Sequence, residues 1–181
     1  MNRFLKTLLG AALALAAVSC GAPSSSDDPW AEAGRILASM SQVHFPDRSV
    51  SITDFGAVPG DSLQLATEAI NNAILAVNQA GGGTVIVPDG IFWTGPVTLK
   101  SNVNLHLEDG ATLRFTTDVK QYFPAVPSRW EGIDCNNTHP LIYAYGETNI
   151  ALTGGGTIDG CASYDNWWGR GRLDRKSTRL N

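Results

Sequence analysis

Several things are scarce in this chain. Basic charge is one: residues 7–169 hold 6 Lys and Arg side chains against 16 Asp and Glu. An acidic body of that kind excludes nucleic acid as a general partner. Cysteine is another, with 3 in 181 residues, and no His, Cys, Asp or Glu cluster has the spacing of metal ligands. The apolar run at 8–18 is 11 residues long, too short to cross a bilayer. Beyond Gly83 no helical periodicity of useful length returns. The 19 glycines and 9 prolines fit a chain of many turns.

What is present starts with a leader. Arg3 and Lys6 precede the apolar run, as in a secretory signal. Ala17-Val18-Ser19-Cys20 then resembles a lipobox, which makes residues 1–20 a lipoprotein signal and Cys20 the lipid attachment point. An ordinary cleaved signal is the competing reading. Residues 21–28 (GAPSSSDD) are small and polar, suited to a flexible tether. The expected location is exported, periplasmic or cell-surface, lipid-anchored to a bacterial membrane. Cys135 and Cys161 would share that oxidising compartment. They lie close to one winding of the repeat described below, and both a disulfide and two free thiols are open.

Residues 29–49 read as a short helix and linker. Asp28 is positioned to cap the helix, Pro29 fits its first turn, and Trp30, Ile36 and Leu37 supply apolar contacts. A strand at 50–52 leads into Asp54-Phe55-Gly56-Ala57. Asp61 or Ser62 can start a second helix running to Ala80, with Ala66, Ala69, Ile70, Ala73, Ile74 and Val77 on one stripe. Gly81-Gly82-Gly83 stops it.

From there short alternating runs recur. Val85-x-Val87-x-Asp89-Gly90 matches Leu105-x-Leu107-x-Asp109-Gly110. Asn104-Leu105-x-Leu107-x-x-Gly110-x-Thr112-Leu113 returns as Asn149-Ile150-x-Leu152-x-x-Gly155-x-Thr157-Ile158. The first repeat lies 20 residues on and the second 45. These offsets fit one and two windings of a 20–25-residue unit, and such periods mark solenoids. The expected fold is all-β, a right-handed parallel β-helix covering residues 50–173, with the second helix as its N-terminal cap. Val85/Val87, Leu105/Leu107 and Ile150/Leu152 should form one inward ladder. Asn104 and Asn149 should share a bend, and Thr84, Ile86, His106 and Thr153 should face outward.

The order of Asp54-Phe55-Gly56-Ala57, Gly81 to Pro88, Thr94-Gly95-Pro96, Leu99 to Leu107 and Gly110 to Leu113 resembles the pectin-lyase-like β-helix proteins. Arg129-Trp130-Glu131-Gly132, Pro140 to Tyr145, Gly156-Thr157-Ile158-Asp159-Gly160 and Trp167-Trp168 are similar to the polygalacturonases of glycoside hydrolase family 28. That resemblance implies inverting hydrolysis of α-linked galacturonic acid in pectin, no cofactor, and a galacturonan partner. It also implies a carboxylate pair, one protonating the leaving oxygen and one activating water. The family's Asn-Thr-Asp, Asp-Asp, Gly-His-Gly and Arg-Ile-Lys motifs do not occur in 50–173. Asp27-Asp28 lies in the tether, and Asn136-Asn137-Thr138-His139 is not Asn-Thr-Asp. No catalytic residue is therefore assigned, and the catalytic coils are expected beyond residue 173. Arg129, Trp130, Trp167 and Trp168 are candidates for a substrate rim; packing of loops on the coil explains the tryptophans equally well. Asp159 reads as a turn former. Residues 174–181 show no strand alternation and read as a non-native, adapter-derived tail, with a basic anion-binding tail as the alternative. A lyase, or a non-catalytic glycan-binding surface protein, on the same fold would share everything up to the missing coils.

Overall fold

The computed structural model describes residues 29–40 and 43–166. The leader, Cys20, Trp167, Trp168 and the basic tail lie outside the described residues. The chain divides into two compact units, 1–42 and 43–181. The first contains one described element, helix α1 (Pro29–Ser39).

The second unit is strand-rich. Strand β1 (Ser49–Ser51) is followed by a 3₁₀ turn, Ile52–Phe55. The Ser51 hydroxyl accepts from the Thr53 amide and the Asp54 carboxylate accepts from the Ser51 amide, a reciprocal capping box. The Asp54-Phe55-Gly56 segment is therefore a locally closed turn, ended by Gly56 in the left-handed region.

Helix α2 runs from Thr67 to Gln79, later than the expected start near Asp61. The Asp61 carboxylate instead accepts from the amides of Leu63 and Gln64, closing a turn of its own. The Ala66 amide is taken by the Trp93 carbonyl. The apolar stripe is as expected: Ala66, Ala69, Ile70, Ala73, Ile74 and Val77 are all buried in one core with Val85, Leu105 and Val103. The helix closes at Ala80; two residues on, Gly82 sits at φ +109°, and a β-carbon there would meet the Asn102 carbonyl oxygen at 2.6 Å. No other residue lets the exit pass beneath the next turn.

The remaining strands are β2 (Gly83–Val87), β3 (Gly90–Thr94), β4 (Val97–Thr98), β5 (Val103–Leu107), β6 (Ala111–Phe115), β7 (Val126–Trp130), β8 (Ile133–Asn137), β9 (Ile142–Tyr143), β10 (Ala151–Gly154) and β11 (Thr157–Asp159). They form three parallel sheets: β1-β2-β5-β10, β3-β6-β11 and β4-β9. The chain visits them in a fixed cyclic order: β2, β3, β4, then β5, β6, β9, then β10, β11. An antiparallel hairpin, β7–β8, interrupts that order between β6 and β9. A meander of hairpins is thereby excluded for the body.

Register tests the repeat directly. Val85 pairs with Leu105 and Val87 with Leu107, the 20-residue offset read from the sequence. The second offset holds only in part. Thr157 pairs with Thr112 and Ile158 with Leu113, as read. In the first sheet, however, Leu152 pairs with Leu105, and not Ile150. The asparagine partner likewise moves: Asn149 Nδ2 donates to Asn102 Oδ1 at 3.0 Å, not to Asn104. The reason lies in the bend. Leu107 to Thr112 spans Glu108-Asp109-Gly110-Ala111, whereas Gly154 to Thr157 spans only Gly155-Gly156. Gly154 sits at φ +100°, where a β-carbon would come within 1.8 Å of the Leu107 carbonyl oxygen. Glycine at 154–156 lets a bend shorter by two residues lie flat on the longer one, and the ladder slips to compensate.

Inward positions of β2, β5 and β6 are buried and their alternates are not. Burying each Leu, Val or Phe contributes about 1.5–3 kcal/mol. The outward set pairs with itself. His106 Nδ1 meets the Thr153 hydroxyl at 2.8 Å, and that hydroxyl lies 2.9 Å from Asn104 Oδ1.

Candidate functional site

Between β3 and β4 the chain turns through Gly95 and Pro96 alone. One winding later the same connection, residues 116–141, carries a 3₁₀ turn (Val119–Tyr122) and the β7–β8 hairpin. This insertion and the third sheet build the candidate site.

Asp118 opens the insertion by accepting from the Lys120 amide. Tyr122 is driven inward, and its hydroxyl donates to the Thr116 carbonyl at 2.7 Å. Burial, with a smaller contribution from Cys161, pushes its pKa up to about 12, so the phenol stays a donor. The hairpin turns on Glu131 and Gly132, both with positive φ (48° and 87°), as two-residue hairpin turns require. Arg129 pairs across the strands with Asp134 and Trp130 with Ile133. Neighbours on a strand point to opposite faces, so Arg129 and Trp130 do not act on one surface. Both are well exposed, and the Arg129–Asp134 contact is 3.8 Å. A recess of about 440 Å³ runs beneath Trp130 and Ile133, along Cys135, Asn136 and Asn137.

A larger cavity of about 630 Å³ lies where the insertion returns to the body, lined in part by Tyr122, Asn137, Thr138, His139, Leu141 and Asn166. His139 closes one side. Its Nδ1 lies 2.6 Å from the Pro140 carbonyl oxygen and must donate there; Nε2 then faces the Thr98 hydroxyl at 3.1 Å. The His139 ring tilts against Tyr143, and the Tyr143 ring lies nearly parallel to Tyr145, centroids 6.3 Å apart. Tyr143 also donates to the Pro127 carbonyl at 2.6 Å, which ties the hairpin to the third sheet. Exposed Tyr145 extends the aromatic strip. Sequence reasoning placed no site at His139, Tyr143 or Tyr145. The one available signal was the Tyr-x-Tyr alternation, which puts both rings on one face.

Two carboxylates near these elements are committed elsewhere. Asp159 accepts from the Cys161 amide at 2.8 Å and from Arg114 Nε at 3.1 Å, and these bonds, the amide first, hold it below the usual range. Arg114 in turn lies over the Trp93 ring at 5.4 Å. Trp93, Arg114 and Asp159 share one column of register, so this group links three successive windings. Glu147 accepts from the Ser101 hydroxyl, Lys100 and the Ser101 amide, which hold its pKa down in that order. Cys135 and Cys161 are free and half-buried, with no bond between them. Burial, and the Asp159 carboxylate beside it, raise the Cys161 thiol. Among the described residues no group of three His, Cys, Asp or Glu side chains is placed to hold a metal. The arrangement offers an aromatic strip, a mainly apolar cavity and an exposed Arg.

No family model matches the chain. It is 33% identical over 147 residues to a probable polygalacturonase of Vitis vinifera, covering 76% of this chain and 29% of that one. Among solved structures, a hyperthermoactive exopolygalacturonase from Thermotoga maritima superposes with a TM-score of 0.71 at 42% identity, covering 78% of this chain and 31% of that one. A family 28 exopolygalacturonase from Yersinia enterocolitica gives 0.53 at 32% identity, over 63% and 21%. The chain thus spans less than a third of the length of these relatives. Parallel sheets in cyclic order, the motifs laid on them and this kinship together place the chain in the polygalacturonase family, the glycoside hydrolases of family 28.

Proposed function

We propose that the chain is part of an exported polygalacturonase that hydrolyses α-linked galacturonic acid in pectin with inversion. The observation that carries this is the register: the family-like motifs fall on parallel strands that stack winding on winding. In this reading the three sheets close into a right-handed parallel β-helix. Helix α2 covers its first ring, because its buried stripe shares the core with β2 and β5. The acid and base carboxylates belong to windings outside these 181 residues, and the chain by itself is inactive. We assign Arg129 and Trp130, on opposite faces of the exposed arm, to the substrate rim, the guanidinium for a uronate and the indole for a sugar face; Trp167 and Trp168, outside the described residues, share that assignment from the sequence alone. Acylation at Cys20 holds the protein on a bacterial membrane, facing the periplasm or the exterior.

The test is incubation of the purified chain with polygalacturonate and measurement of new reducing ends. No release above a blank is expected, and release is expected once the gene's following windings restore an Asn-Thr-Asp and an Asp-Asp pair. Sustained turnover by the 181-residue chain would overturn the assignment of catalysis to later coils. Mass spectrometry of protein from bacterial membranes tests the anchor: a diacylated Cys20 supports it, an unmodified mature N-terminus does not.

A further inference from the structure

We infer that helix α1, separately from any acyl chain, lies on the lipid surface as an interfacial amphipathic helix. The helix has no buried face of its own: Ile36, Leu37 and Met40 are 53%, 66% and 59% exposed, and Trp30 is exposed too. At 3.6 residues per turn, Glu32, Arg35 and Ser39 fall within about 60° of one another. The rest of the circumference is Trp30, Ala31, Ala33, Gly34, Ile36, Leu37 and Ala38. The Met40 amide donates to the Leu37 carbonyl, which carries the apolar arc one residue further. A wide apolar face with a narrow polar strip is the pattern of helices that lie in the membrane interface.

Lipid is the partner this face fits, for two reasons. Eight residues, 21–28, separate Cys20 from the helix; a small, polar tether of that length reaches about 15–17 Å. The choice of lipid rests on the Cys20 anchoring proposed above, which keeps the helix within roughly its own length of the bilayer. Trp30 also sits at the end nearest the anchor, where aromatic side chains settle at the headgroup level. The polar strip is electrically balanced, because Arg35 pairs with Glu32 at 2.7 Å. Burial of apolar surface and not attraction to anionic lipid then drives the contact, so it persists on zwitterionic membranes and in salt.

The experiment is hydrogen–deuterium exchange of the amides of 31–40 in the full chain carrying Cys20→Ser. It is run alone, with phosphatidylcholine vesicles, and with vesicles of phosphatidylcholine mixed equally with phosphatidylglycerol. Exchange is expected to slow about tenfold or more on both membranes, and equally so in high salt. Ile36→Gln with Leu37→Gln keeps helix-forming side chains and is expected to abolish the slowing; Arg35→Gln is expected to leave it. Unchanged exchange on vesicles overturns the inference. So does protection already present without lipid: if it rises with protein concentration the face pairs with a second copy, and if it does not the face packs on the chain's own body. None of these outcomes depends on polygalacturonate hydrolysis or on acylation of Cys20.

Discussion

The stacked windings and the hairpin arm are built from similar short strands, yet they are held by different physics. In the windings, Leu105 lies between Val85 and Leu152 in register and is fully buried. In the arm, Trp130 faces Ile133 across an antiparallel pair, and both remain mostly exposed. A two-stranded ribbon alone is marginal in water. The arm is attached to the third sheet through the Tyr143 hydroxyl at Pro127, beside the ring contact of Tyr143 with His139. Stability therefore resides in the windings, while the arm is free to vary and to present side chains.

Four substitutions sharpen or break that contrast. Leu105→Ala is expected to cost about 2–5 kcal/mol in urea unfolding, because it empties the middle of a packed column. A loss under 1 kcal/mol would deny that the ladder carries the fold. Gly154→Ala is expected to cost about 1–3 kcal/mol through a forced left-handed alanine and a blocked approach to Leu107. Exchange of the β10 amides should rise while that of β2 stays slow. Glu147→Gln is expected to cost about 1–2 kcal/mol at neutral pH, since three donors lose their carboxylate. The pKa of Glu147 is lowered on folding, so its contribution is present above the usual carboxylate range. It is lost as pH falls through the lowered folded value. The variant should therefore show a shallower loss of stability in acid than the parent chain. Trp130→Ala is expected to change stability by less than about 0.5 kcal/mol. A larger loss would mean that the arm packs on the body, contrary to its exposure.

Legibility followed the same division. The 20-residue offset was readable because each ladder position must be aliphatic and each bend needs its Asp-Gly, so periodicity survives in the letters. The 45-residue offset misled at Ile150 and Asn149 because a bend can shorten by two residues when Gly154, Gly155 and Gly156 let backbones touch, and spacing alone does not reveal which side of the bend absorbs the difference. Asp61 looked like a helix cap and caps a turn, since the Ala66 amide is claimed by Trp93 from a distant strand. The candidate cavity was hardly legible at all. Its walls come from Tyr122, His139 and Asn166, which no local pattern connects.

The letters alone determined the repeat, the helix stripe and the kinship, because alternation and turn chemistry act over a few residues and leave a period. Only the assembled structure decided the slipped register, the commitment of Asp159 to Arg114 and Cys161, and the meeting of His139 with Thr98. Those depend on which residues of different windings come to lie above one another, and that is set by the length and bulk of every bend between them.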